Sequence, residues 1–245
     1  MPTTRDPVTA SHSTIARLVT GDYLAPPASR FAGQRMVAVA YLVRHPEATL
    51  LFDTGFPFDQ PTSINEDEDP IPTFPRSLEA ALAGIGASIA QLDMVANCHL
   101  HIDHAGGNFR LPDELPIYVQ QAELAAARAE EEPLVRDALA LETLSYRAIN
   151  GEHEILPGVR AIPTPGHTDG HQSLVVDTEG GAVVLACQAM PSATDFALAV
   201  YAVEVERDGS QPVPAYPTWL PRLLAFEPRR VMFAHDLATW EADPH

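Results

Sequence analysis

His99-Leu100-His101-Ile102-Asp103-His104, running on into Ala105-Gly106-Gly107, puts three imidazoles and a carboxylate within six residues. The apolar run Met94-Val95-Ala96 leads into this stretch and reads as a buried strand. On extended backbone alternate residues share a face, so His99 and His101 aim at one point. Asp103 and His104 follow a turn of the chain and reach a second point close by. A single histidine is ordinarily a core or surface residue. This spacing of four is one that metal chemistry uses, and imidazole with carboxylate suits Zn²⁺, Fe²⁺ or Mn²⁺.

Two later segments carry the same chemistry. Thr164-Pro165-Gly166-His167-Thr168-Asp169-Gly170-His171 is a Gly/Pro-rich turn between apolar runs. Irregular backbone of this kind pushes a side chain into a cleft. His167 would complete three nitrogens for a first ion, and His171 would support the loop by hydrogen bonding as an outer partner. Phe233-Ala234-His235-Asp236 ends the run Val231-Met232-Phe233, read as the final buried strand, and offers His235 to a second ion.

Strands and helices alternate around these segments. Met36–Val43 and Thr49–Phe52 read as adjacent strands joined at His45-Pro46-Glu47, and Asp53-Thr54-Gly55 closes the second. Residues 57–75 are rich in proline and acid and form a loop, either a solvated connection or a lid. Ser77 opens a short helix that Gly84 and Gly86 end. Ile117–Val119 is a strand, and residues 122–128 and 134–144 are helical with a break at Pro133. The acidic run 130–132 is a solvated helix end. Val159–Ile162, Ser173–Val176 and Ala182–Ala186 return to strands, with a turn at Gly180-Gly181, and residues 219–226 form a helix. No linker or short repeat interrupts the pattern, so residues 1–245 are expected to form one domain of two sheets covered by helices.

Composition narrows the function classes. Fifteen basic residues, all arginine, stand against 33 acidic ones, for a net charge of −18. That balance disfavours a nucleic-acid surface, which needs clustered cations. No apolar run is long enough to span a bilayer, and residues 1–7 lack a secretory core. A cytoplasmic protein acting on a small molecule, without membrane or nucleic-acid partners, is expected. Two cysteines make no disulfide framework, and Cys98 and Cys187 are expected as buried core thiols.

HLHIDHAGGN (99–108), TPGHTDGHQS (164–173) and FAHD (233–236), in that order, resemble the metallo-β-lactamase superfamily and, within it, the N-acyl-homoserine-lactone lactonases of quorum quenching. Asp53-Thr54-Gly55 and Ile117-Tyr118-Val119-Gln120 fit the same layout. The resemblance implies an α+β fold, an αββα sandwich with the site at one edge. It implies that His99, His101 and His167 hold one metal, and Asp103, His104 and His235 the other. Asp53 and His171 stand behind them. In such enzymes a metal-bound hydroxide attacks the ester carbonyl, and Asp103 carries the proton to the leaving alkoxide. The cofactor implied is one or two zinc ions, with iron or manganese as alternatives.

The pattern breaks at two places. The aspartate that bridges both metals in the family corresponds to Gln188, a neutral ligand, and a family tyrosine that assists at the substrate carbonyl corresponds to Pro191. Either the chain is a lactone or ester hydrolase with a weakened second site, or it is a metal- or ligand-binding relative with little catalysis. A thioesterase or glyoxalase-like hydrolase is the third reading. Neighbouring strand residues face opposite ways, so Cys187 and Gln188 reach the metals together only through a bulge.

Overall fold

A computed structural model of the chain describes residues 12–58, 67, 70–74, 76–130, 133–209 and 213–242. The first sheet contains β1 (Thr14–Leu24), β2 (Arg35–Arg44), β3 (Thr49–Phe52), β4 (Ile71–Pro72), β5 (Met94–Ala96), β6 (Ile117–Gln120) and β7 (Tyr146–Ile149), in the order β4-β1-β2-β3-β5-β6-β7. It is antiparallel from β4 to β3 and parallel from β3 to β7. The second contains β8 (His153–Leu156), β9 (Val159–Pro163), β10 (Gln172–Thr178), β11 (Gly181–Cys187), β12 (Arg230–Phe233) and β13 (Thr239–Glu241), in the order β13-β12-β11-β10-β9-β8. Only the β11–β12 pair is parallel there.

The two sheets face each other. Val39, Tyr41 and Val43 of β2 and Leu50 and Phe52 of β3 meet Val159, Ala161, Leu174, Val176 and Leu185 of the other sheet in one buried core. The alternate residues Ala40, Leu42 and Leu51 turn outward and are covered by α1 (Leu78–Ala83). Because both faces are buried, these strands read as continuous apolar runs rather than alternating ones. α2 (Ile102–Ala105) is one turn long, and α3 (Gln121–Ala129) and α4 (Pro133–Leu139) flank the first sheet's parallel end. On the second sheet, α5 (Ala193–Arg207) and α6 (Leu220–Leu224) lay Phe196, Ala199, Val203, Leu220 and Leu223 on Val184, Val231 and Phe233. The expected αββα sandwich is therefore present. The Tyr41 hydroxyl crosses it, donating to the Phe233 carbonyl at 2.6 Å.

Several expectations need correction or extension. Val231–Phe233 is not the final strand, because β13 follows and pairs with it. Strands β1, β4, β7 and β8 and helix α5 add to the elements expected from the sequence. Helix α5 has a readable start, since Ser192 accepts from the Asp195 N–H at 3.1 Å and caps it. Its outer face nonetheless leaves Leu198 and Tyr201 exposed, which blurs the amphipathic signal. Most of the 57–75 loop and residues 131–132 lie outside the described residues. Among the described residues, no helix is long and apolar enough to cross a membrane.

The cysteines depart furthest from expectation. Both are buried as expected, but they are disulfide-bonded, with Cα atoms 6.4 Å apart across the sandwich. Their spacing of 89 residues hides this in the sequence. The ends of β5 and β11, in different layers, bring them together.

Helix α5 supplies the second sheet's cover through Phe196, which is fully buried, with its ring centroid 5.9 Å from Phe233 and 5.3 Å from Trp240. Phe196→Ala should cost about 3–5 kcal/mol of stability, read from urea unfolding followed by circular dichroism. A loss under about 1 kcal/mol would show that the site collapses freely around the truncation.

Candidate metal centre

Two sequence motifs fold onto each other to build the floor. Thr54 N and Gly55 N both donate to the His104 carbonyl, at 2.7 and 3.0 Å, and the Thr54 hydroxyl donates to Asn108 Oδ1 at 2.8 Å. This close approach needs small residues. A Cβ on Gly107 would sit 2.7 Å from the Thr54 carbonyl oxygen, and one on Gly55, whose φ is +77°, would sit 2.4 Å from Thr20 Cβ. The Ala105-Gly106-Gly107 tail is therefore what lets α2 present Asp103 and His104 directly above Asp53-Thr54-Gly55.

The first predicted set comes together. His99, His101 and His167 place one nitrogen each within 4.8 Å of one another. His167 Nε2 lies 3.0 Å from His101 Nδ1. His99 is fully buried, and its Nε2 has no hydrogen-bond partner. An unpaired buried polar nitrogen costs about 1–3 kcal/mol unless something satisfies it. A tetrahedral ion with bonds of roughly 2.0–2.1 Å sets its donors about 3.3–3.4 Å apart, near the 3.0 Å between His101 and His167.

The second set also converges. His104 Nε2 lies 3.4 Å from Asp103 Oδ2, 3.1 Å from His235 Nε2 and 3.1 Å from Gln188 Oε1. His235 Nε2 is 3.5 Å from the same Asp103 oxygen. The outer nitrogens of both imidazoles are committed: His235 Nδ1 donates to the Val37 carbonyl at 2.8 Å, and His104 Nδ1 faces Asp53 Oδ2 at 3.0 Å. Each Nε2 therefore points inward. Gln188 does reach the site, by the bulge its position required. The β11–β12 register shifts between Leu185 and Cys187, and Cys187 has φ +53°. This turn brings Cys187 Sγ to 3.4 Å from His104 Nδ1 while Gln188 meets Nε2 of the same ring.

The electrostatics favour a cation. Burial drives His99 and His171 well below the usual histidine range, aided by neighbouring imidazoles. Burial and the same neighbours push His167 down to about 3 and, with His104, His235 down to about 4. These rings are neutral and offer lone pairs. His104 is the exception. Burial opposes its charge, yet Asp103 and Asp53 on either side hold a proton on it and raise it to about 10. The surrounding imidazoles, His104 foremost, keep Asp103 ionised despite burial. A positive charge at His104 Nε2 is what this pocket selects, and a metal ion supplies one.

The two expected outer partners differ in what they touch. Asp53 accepts from Cys98 N at 2.8 Å and faces His104. His171 is buried with Nδ1 2.8 Å from Thr164 Oγ1, its ring 5.4 Å from that of His99, and its Nε2 unpartnered. Glu123 is a residue of the candidate site that sequence reasoning missed. This buried carboxylate accepts from Leu100 N at 2.9 Å and from the Thr168 hydroxyl at 2.6 Å. It thus ties the His99–His101 loop to the His167 loop. Its position in the first turn of α3 is an ordinary helix-start preference for acid, so nothing in the sequence aims it inward.

A cavity of about 940 Å³ opens over both sets. His101, Asp103, His167, Gln188 and His235 form its floor, and Ala25, Phe31 and Met36 on one side and Leu100, Ala126 and Leu139 on the other give it apolar walls. Tyr23 also lines it, edge-on to His235 at 5.3 Å between ring centroids.

Comparison with known proteins agrees with this geometry. An N-acyl homoserine lactonase of Bacillus cereus is 37% identical over 153 residues, covering 59% of this chain and 60% of that relative. A second, from Bacillus thuringiensis subsp. kurstaki, is 35% identical over 168 residues, covering 64% and 65%. The chain thus spans about 60% of the length of the first of these relatives. A quorum-quenching N-acyl homoserine lactone hydrolase superposes with TM-score 0.69 at 27% identity, covering 92% of this chain and 93% of that one. An N-acyl homoserine lactone hydrolase with the product N-hexanoyl-L-homoserine at its catalytic metal centre also gives 0.69, at 26% identity over 92% and 94%. Residues 33–231 match the family profile described as the metallo-beta-lactamase superfamily, and the chain belongs to that superfamily.

Proposed function

We propose that this protein is a metal-dependent hydrolase that opens the lactone ring of an N-acyl homoserine lactone or a closely related cyclic ester. The observation that carries the reading is the pair of donor groups, His99/His101/His167 and Asp103/His104/His235, which present His101, His167, Asp103 and His235 to one cavity floor. The lactonase relatives support the substrate class, and the apolar walls suit an acyl chain. The reading takes residues 1–245 as one domain, since each donor group draws on both sheets' ends.

Zinc is the ion proposed for both groups, because imidazoles with one carboxylate and donor spacings near 3.0–3.5 Å fit it, the ion taking the place of the proton at His104 Nε2. Ions held there supply Lewis-acid polarisation of the substrate carbonyl and an activated water near neutral pH. His99, His101 and His167 fix the first ion, and Glu123 keeps their two loops in register. Asp103 acts a second time, as a proton carrier. Its carboxyl group, on the cavity floor, takes up the proton that the attacking water gives up as its oxygen bonds to the carbonyl carbon, and delivers it to the ring oxygen as the ester C–O bond breaks and the alkoxide leaves. Burial, with the nearby charge of Asp103, keeps the Tyr23 phenol protonated, so it stands as a hydrogen-bond donor on the cavity wall.

The test is a panel of homoserine lactones, plain lactones and a thioester, run on the zinc-loaded protein beside Asp103→Asn. The homoserine lactones should be the preferred substrates, and the variant should lose roughly a hundredfold or more of turnover. A variant that keeps its activity with metal bound overturns the role given to Asp103, and a preference for the thioester overturns the substrate class.

Gln188 presents a neutral oxygen where a carboxylate would neutralise charge between two dications. The Asp103/His104/His235 group should therefore release its ion to a mild chelator before the three-histidine group does. Gln188→Asp should bind that ion at least about fivefold more tightly, because an added anion at such range is worth at least about 1 kcal/mol. Lactone turnover should rise with it. Elemental analysis after graded dialysis reads the result, and equal retention at both groups in the parent protein counts against it.

A further inference from the structure

Beneath the metal centre lies a chemical group that the hydrolytic reading does not use. Cys98 directly precedes His99, Cys187 directly precedes Gln188, and the two sulfurs are bonded across the layers. Each sulfur lies 3.0 Å from Asp53 Oδ2 and 3.4 Å from His104 Nδ1. The oxygen they touch is the one that faces the His104 ring at 3.0 Å.

We propose that Cys98 and Cys187 form a redox-modifiable pair that sets how firmly the Asp103/His104/His235 group holds its metal. The inference rests on His104 being a metal ligand, as in the proposed function. In the bridged state neither sulfur carries a proton, so Asp53 Oδ2 accepts from His104 Nδ1 alone among these neighbours. Reduction adds two electrons and two protons, breaks the S–S bond and leaves two S–H groups. The electrons come from a dithiol, which closes to its own disulfide. A thiol is a weak donor, but two at this range compete for the same carboxylate oxygen. Asp53 then orients His104 less firmly and makes its Nε2 a poorer electron donor. Outer-partner changes of this kind lower metal affinity about 10–100-fold. Two unbonded sulfurs must also move apart to van der Waals contact, which separates the backbone carrying His99 from that carrying Gln188. Disulfides in reducing compartments are typically redox-responsive rather than structural, so a pair placed here suits the cytoplasmic setting expected from the sequence.

The experiment uses the full zinc-loaded protein, with thiols counted in denaturant before and after treatment with a water-soluble phosphine. The phosphine takes oxygen from water as it opens the bridge. Zinc per chain is followed during dialysis against a mild chelator. The bridged protein should show no free thiol, and the reduced protein two, with loss of the weaker-held zinc roughly tenfold faster. Cys98→Ser/Cys187→Ser, which keeps two hydroxyl donors beside Asp53, should lose that zinc quickly whether or not phosphine is present. Cys98→Ala/Cys187→Ala, with no donors, should lose it slowly in both conditions. Two free thiols in the air-exposed protein, a bridge that phosphine cannot open without denaturant, or zinc loss unaffected by reduction each overturn the redox role alone. The same is true if the serine and alanine variants behave alike. Protein that binds no zinc in the bridged state overturns the metal reading and this inference with it.

Discussion

Asp53 is a buried carboxylate at a positive φ of 67°, and much of the site's geometry follows from where its two oxygens go. One accepts from the Cys98 backbone just before the first histidine, and the other faces the His104 ring just after the turn. A non-glycine residue in this backbone region costs on the order of 1 kcal/mol, and burial raises the carboxyl's proton affinity while His104 lowers it. These two contacts offset both costs. They also fix the start and end of the His99–His104 segment relative to β3, so the ligand spacing does not depend on the loop alone.

Glu123 does for the second layer what Asp53 does for the first. It reaches Leu100 N between two histidines of one loop and the Thr168 hydroxyl beside the histidine of another. Gly170 lies so close to its backbone that an added Cβ would be 2.3 Å from Glu123 N. Ligand groups placed by backbone hydrogen bonds and close packing, rather than by their own rotamers, are held within the small tolerance that metal coordination demands. The apolar cavity walls carry no such constraint.

What the sequence disclosed and what it hid separate along a physical line. The candidate donors His99, His101, Asp103, His104, His167, Gln188 and His235 were legible because short-range spacing and residue type specify them, and the structure gathers them into two neighbouring groups. The strands β2, β3, β10 and β11 were legible as apolar runs. Helix α5 was not, because its exposed face is also apolar, and β1 was not, because its eleven residues mix buried and exposed positions without clean alternation. The Cys98–Cys187 bond and the inward aim of Glu123 both depend on contacts between segments distant in the chain. Local pattern contains no information on those.

Among the described residues, every strand of the first sheet lies between residues 14 and 149, and every strand of the second between 153 and 241. The backbone therefore passes from one layer to the other through a single seam at Asn150-Gly151-Glu152. His99, His101, Asp103 and His104 stand on one side of that seam, and His167, Gln188 and His235 on the other. Neither half carries a complete candidate donor set. On the proposed metal reading, a chain cut at the seam becomes two fragments whose mutual affinity includes the affinity for the ions, so metal loading turns into a measurable fragment-assembly equilibrium.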